Sequence, residues 1–174
     1  MPQHLDSSQF NNPQRERGFT LVEVLVAMVL LSTALVPVFM LASDSLRLTE
    51  RIKNSLIGAN LAQEGVEVVR ALRDANWFQG VSFSQGLDGC DAGCVVQYNS
   101  DTLNTALLPS TPLLFDSATG LYQYTTGTAS IFSRKITITQ IPPSHMKVVS
   151  EVSWMNRSIP MTMKLEYYLF DWAQ

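Results

Sequence analysis

Hydrophobic and polar positions fall into three regimes along this chain. Residues 1–18 are polar, with Asn11, Asn12 and Pro13 followed by Arg15-Glu16-Arg17-Gly18. Residues 19–42 read FTLVEVLVAMVLLSTALVPVFMLA and carry a single charge, Glu23. Beyond them Leu48, Ile52, Leu56, Ala59, Ala62, Val66 and Val69 recur at steps of three and four, widened by Ile57, Leu61, Val68 and Leu72. That period marks one face of an amphipathic helix running to about residue 75, with a core-facing role for the face. Charged Glu50, Arg51, Lys53, Glu64, Glu67, Arg70 and Arg73 are expected mostly on its other sides.

The pattern then changes. Residues 76–110 are rich in Gly, Ser, Asn and Asp and predict a loop, with a short strand at 95–98. Period-two alternation follows. Residues 113–115 and 121–125 flank Asp116-Ser117-Ala118-Thr119-Gly120, a hairpin-turn sequence. Residues 131–141 alternate around Ile136 and Ile138 and end at Pro142-Pro143. Val148, Val152 and Trp154 share a face, Asn156-Arg157-Ser158 marks a turn, and Met161, Met163, Leu165, Tyr167 and Leu169 alternate after it. The expected fold class is α+β: a long N-terminal helix packed on a four-stranded antiparallel meander over 111–170.

The 24-residue apolar run spans about 36 Å as a helix, enough to cross a bilayer core. Arg15 and Arg17 precede it, and no Lys or Arg follows until Arg47, so the positive-inside bias puts the N-terminus in the cytoplasm and the later residues outside. The domains expected are a leader over 1–18, a transmembrane or filament-core helix over 19–42, and a head over 43–174. Pro37 removes a helical hydrogen bond and predicts a kink. Gly58 and Gly65 each weaken a helix by about 1 kcal/mol relative to Ala.

Glu23 is the residue that needs a reason. A carboxylate near the bilayer centre costs on the order of 3 kcal/mol, and Glu23 lies one turn inside the boundary. A secretory signal carries its cleavage site after the apolar run. Here the candidate site precedes it, at Gly18-Phe19. Cutting there leaves the anchor on the product and creates an α-ammonium on Phe19, four residues from Glu23. An opposite charge at the same depth, within the chain or on a neighbour, relieves the unpaired carboxylate and favours association.

Composition excludes rather than identifies. With 174 residues the chain can bury a core. A net charge of −3 argues against a basic nucleic-acid surface, although Trp77, Tyr98, Tyr122 and Trp154 are of a type that stacks on bases; core packing is the plainer role for them. The two histidines, His4 and His145, sit in the leader and in a turn, and there is no nucleophile-elbow, phosphate-loop or His-rich metal spacing. No cofactor, metal or catalytic residue is expected. Cys90 and Cys94, in Gly89-Cys90-Asp91-Ala92-Gly93-Cys94, are too few for a structural zinc site; they form either a small disulfide loop in an exported domain or two unpaired thiols.

Gly18-Phe19-Thr20-Leu21-Val22-Glu23 followed by an unbroken apolar run resembles the prepilin cleavage and methylation motif. The resemblance implies a membrane aspartyl peptidase that cuts between Gly18 and Phe19 and methylates the Phe19 amine, with Glu23 acting in assembly. It implies a single-pass protein of the cytoplasmic (inner) membrane whose partners are other pilin or pseudopilin subunits, the peptidase/methyltransferase and an inner-membrane assembly platform. The stretches Leu61-Ala62-Gln63-Glu64-Gly65-Val66-Glu67-Val68-Val69-Arg70 and Phe132-Ser133-Arg134-Lys135-Ile136-Thr137-Ile138 are similar to minor pilins of the V type and I-type pseudopilins. No cysteine follows Cys94, and the tail from Glu166 lacks an acidic calcium-binding loop, departures that point to a minor subunit. Pilus, secretion pseudopilus and DNA-uptake filament remain open, as does a non-polymerising membrane-anchored binding module.

Overall fold

The computed structural model describes residues 18–141 and 144–171; the leader up to Arg17, with His4, Arg15 and Arg17, lies outside the described residues, as do Pro142, Pro143 and Trp172-Ala173-Gln174. One helix, α1 (Leu21–Phe78), precedes strands β1 (Pro112–Asp116), β2 (Leu121–Gln123), β3 (Thr128–Ile141), β4 (His145–Asn156) and β5 (Ile159–Phe170). This is an α+β, pilin-like arrangement. Two compact units divide between Leu46 and Arg47, so the first holds the apolar start of α1 and the second its remainder with the sheet.

In the second unit the sheet has five antiparallel strands in the order β2-β1-β3-β4-β5. The expected four-stranded meander is therefore wrong in both number and order. β1 and β2 form the hairpin around Asp116 to Gly120, where Gly120 takes φ 73° and its N–H donates to the Asp116 carbonyl. The chain then turns at Gly127 (φ 124°), and β3 pairs with the free side of β1. A Cβ on Gly127 would lie 2.6 Å from the Phe115 oxygen, so only glycine makes this return. The strand expected at 95–98 is absent. In its place Cys94 bridges Ile136 and Val95 bridges Asn104, each by reciprocal backbone hydrogen bonds.

Alternation decides which face is buried. Phe132, Arg134, Ile136 and Ile138 of β3 and Met146, Val148, Ser150, Val152 and Trp154 of β4 all turn inward. Against them α1 buries Gly58, Leu61, Ala62, Gly65, Val66, Val68, Val69 and Arg73. This corrects the expected helical face at both ends. Leu48, Ile52 and Leu56 are 57–61% exposed, while Arg73, read as a surface charge, is buried. Leu48 lies five whole turns before buried Val66 and so shares its helical angle; it is exposed because the buried stretch of α1 begins only at Gly58, against Trp154.

The two helix glycines are contact points. A Cβ on Gly58 would lie 2.7 Å from the Trp154 ring, and one on Gly65 would lie 2.6 Å from Ser150 Oγ and 2.8 Å from Ile136 Cδ1. Their loss of helix propensity is offset by letting α1 settle directly on β3 and β4.

Candidate assembly site

The sequence at the start of α1 builds its own cap. Residues 18–20 are not helical, and Leu21 is the first residue of α1. The Glu23 N–H donates to Thr20 Oγ1 at 3.2 Å, and the Val24 N–H donates to the Thr20 carbonyl at 3.2 Å. Thr20 is thus the N-cap and Glu23 the third helical residue, the T-x-x-E spacing of a capping box. The carboxylate of Glu23 also stands at the positive end of the helix dipole. Sequence reasoning gave Glu23 an ammonium partner, within the chain or on a neighbour, and left Thr20 without a physical role. The capping spacing was there to be read.

Along the apolar segment nothing is buried. An 18-residue window of α1 has a mean hydropathy of 2.6 and no buried residue, long and apolar enough to cross a membrane. Its hydroxyls are satisfied within the helix. Ser32 Oγ donates to the Val29 carbonyl at 3.0 Å, and Thr33 Oγ1 lies 3.0 and 2.9 Å from the carbonyls of Val29 and Leu30. That is the arrangement a hydrocarbon environment demands, since no solvent there could pair them. Pro37 lies inside α1, which is helical on both sides of it. Phe19 is 83% exposed, and Phe19, Glu23, Ala27 and Leu31 follow one another at steps of four along one side of the segment.

Residues 13–39 match the prokaryotic N-terminal methylation motif. The N-terminal segment is type IV pilin-like. The match covers the cap, Glu23 and most of the apolar run, and residues 13–17 of it lie outside the described residues. Such a motif implies interaction with prepilin peptidase and with other pilins, and membrane anchoring through the N-terminus. The prepilin-motif family is structural rather than enzymatic. No curated protein and no solved structure matches the chain.

In the pilin-like head, Cys90 and Cys94 are joined by a disulfide, with Cα atoms 5.3 Å apart and both residues fully buried. The bridge sits where the loop meets β3: the Ile138 N–H donates to the Cys90 carbonyl, and Cys94 pairs with Ile136. His145 opens β4 with its ring 5.2 Å from Phe170 and 6.4 Å from Tyr168. Among the described residues no group of three or more His, Cys, Asp or Glu is placed to hold a metal.

The least expected residue is Arg134. Its side chain is fully buried, donating through Nη1 to the Leu61 carbonyl and to Glu64 Oε1, both at 2.9 Å, and through Nη2 to the Val96 carbonyl. One guanidinium therefore ties helix, sheet and loop together. Burial pushes the neighbouring Tyr124 phenol up, opposed in part by the Arg134 charge. The signal was visible in sequence. Arg134 alternates with Phe132, Ile136 and Ile138, so the inward face had to contain it.

Proposed function

We propose that this chain is a minor structural subunit, a minor pilin or pseudopilin, of a type IV filament. It inserts with Arg15 and Arg17 cytoplasmic, is cut after Gly18 and methylated at Phe19, and joins the filament through its N-terminal helix with the head outside. The observation that carries the reading is the coincidence of the methylation motif with a capped, wholly exposed apolar helix bearing one acidic residue at its start. A helix exposed on every side in the single chain is stable only when lipid or other helices surround it.

Glu23 has two partners available in this scheme. Its own helix N-terminus holds it before assembly, and the Phe19 ammonium of a neighbour offers a second site at the same depth. Exchange between them sets axial register at little net cost, because the carboxylate is never without a positive end. Leu48, Ile52 and Leu56, exposed on the head's part of α1, extend the apolar surface available to neighbouring subunits.

Mass spectrometry of the protein recovered from membranes and from sheared filaments tests the reading. The expected N-terminus is Phe19, heavier by one methyl group. An intact Met1 end in cells with active prepilin peptidase would leave the membrane-anchored binding module as the better account. Glu23→Leu separates the same two readings by function: recovery in sheared filaments falls roughly tenfold or more if Glu23 registers subunits, and does not change for an anchor alone.

A further inference from the structure

β5 closes one end of the sheet, and its pattern specifies what lies beside it. One step beyond the last register pair, His145 with Phe170, the Asp171 N–H donates to the Ser144 carbonyl, so the odd residues of β5 bond to β4. The even residues, from Pro160 to Phe170, direct their backbone groups to the open side. Pro160 lacks a donor there, and the Phe170 carbonyl already accepts from Arg73 Nη1 at 3.1 Å. The odd residues form an apolar row on the helix side, of which Ile159, Leu165 and Tyr167 are 52, 37 and 42% exposed. On the opposite face Lys164 and Glu166 stand two residues apart.

We infer that the occupant of this edge is a second copy of the same chain, with β5 paired antiparallel to β5 about a two-fold axis at Leu165. Three independent features select that register. Lys164 falls opposite the partner's Glu166, and Glu166 opposite the partner's Lys164, which extends the existing bridges Lys164–Glu151 (3.2 Å) and Lys147–Glu166 (2.8 Å) into rows of alternating charge. Pro160 falls opposite the partner's Phe170, so the one missing donor meets the one acceptor already satisfied. On the helix side Leu165 meets its own copy and Met163 meets the partner's Tyr167, covering the exposed apolar row. A shift of two residues in either direction loses the charge match and strands the Phe170 and Pro160 positions against competent groups.

The axis is normal to the sheet, so both copies of α1 lie on one face. Within the head α1 runs antiparallel to β4, with Gly58 at Trp154 and Arg73 at Phe170. The two-fold thus turns one head end over end. Chains held parallel do not form this pair; oppositely directed heads meeting edge to edge do.

The test uses the full chain in detergent, with Lys164→Glu and Glu166→Lys variants followed by sedimentation equilibrium. Each variant alone places like charges opposite each other and dimerises roughly tenfold or more weakly than the parent. Mixed together, they restore opposite pairs in both rows and form a heterodimer of parental affinity. Leu165→Cys cross-links to itself on oxidation, whereas Met163→Cys, facing the partner's Tyr167, does not. A monomeric parent chain, single variants that dimerise as the parent does, or a mixture that fails to recover each overturns the pairing. None of these readouts depends on cleavage at Gly18.

Discussion

The two parts of α1 obey different rules although one helix contains both. From Leu21 to Ala42 it is apolar on every side but for Glu23, and as far as Leu46 it buries nothing; from Arg47 on it carries a buried face studded with small residues. In the first part side-chain identity is loosely constrained, because any apolar residue suits a lipid-like surround, and only the polar atoms need individual solutions. Thr20, Ser32 and Thr33 supply theirs within the helix itself. In the second part shape governs. Gly58 and Gly65 are placed where the sheet presents Trp154, Ser150 and Ile136, and Arg134 reaches up to the Leu61 carbonyl. Transfer chemistry sets the one, and close packing the other.

The largest test of that contrast removes the guanidinium. Arg134→Ala leaves a cavity and deprives two buried carbonyls and Glu64 of their donor, so unfolding of the detergent-solubilised chain in urea should become easier by about 3–5 kcal/mol. Tryptophan fluorescence, with Trp154 in the core, reports it. An effect below 1 kcal/mol would mean that the buried network contributes little to the head.

Gly65→Val comes next, with a loss of about 2–3 kcal/mol from overpacking against Ser150 and Ile136. The matched change in the apolar part, Ala27→Val, should leave the same transition in place. If both shift it equally, the distinction between shape and transfer fails.

These head residues also show how far the sequence could be read. The N-terminal part was legible because its information is one-dimensional: run length, charge placement and the Gly18-Phe19 step need no tertiary knowledge. Strand positions 128–170 were legible by alternation for the same reason. The order of β1 and β2 was not, since it depends on the Gly127 return, a backbone geometry that no hydrophobic period encodes. The burial of Arg73 was misread through its charge, although the i, i+3, i+7 spacing of Val66, Val69 and Arg73 puts it on the buried face; Arg134 drew no reading of its own, although alternation in β3 bracketed it. Cap residues such as Thr20 were hidden behind a functional motif that uses the same letters.

A smaller effect is expected at that cap. Thr20→Ala should cost the first turn of α1 about 1 kcal/mol, seen as faster amide exchange at Glu23 and Val24 with the head's urea midpoint unchanged. Movement of the head transition would contradict the independence of the two parts.

The smallest is in acid. Backbone N–H donation from Ala118, with the Thr119 hydroxyl, holds the Asp116 carboxyl below its ordinary value, and Lys147 does the same for Glu166. Both depressed groups contribute stability that is present above the ordinary carboxylate range and is lost as pH falls through their lowered folded values. Both are solvent-facing, so the head's urea midpoint should decline only slightly below about pH 4. Asp116→Asn with Glu166→Gln should flatten that decline. A steep loss in the double variant would place the acid sensitivity elsewhere.

Thr20 also fixes what an endopeptidase meets. Since α1 starts at Leu21, the peptide link between Gly18 and Phe19 stands clear of helical hydrogen bonding. A link inside the helix must be unwound before an active site can grip it, one backbone hydrogen bond at a time. Hydrolysis after Gly18 spares even the outermost of those bonds, from Val24 to Thr20, and leaves a single residue ahead of the cap. The proposed cut would thus trim the chain to the edge of α1 with no helical hydrogen bond to break between precursor and product.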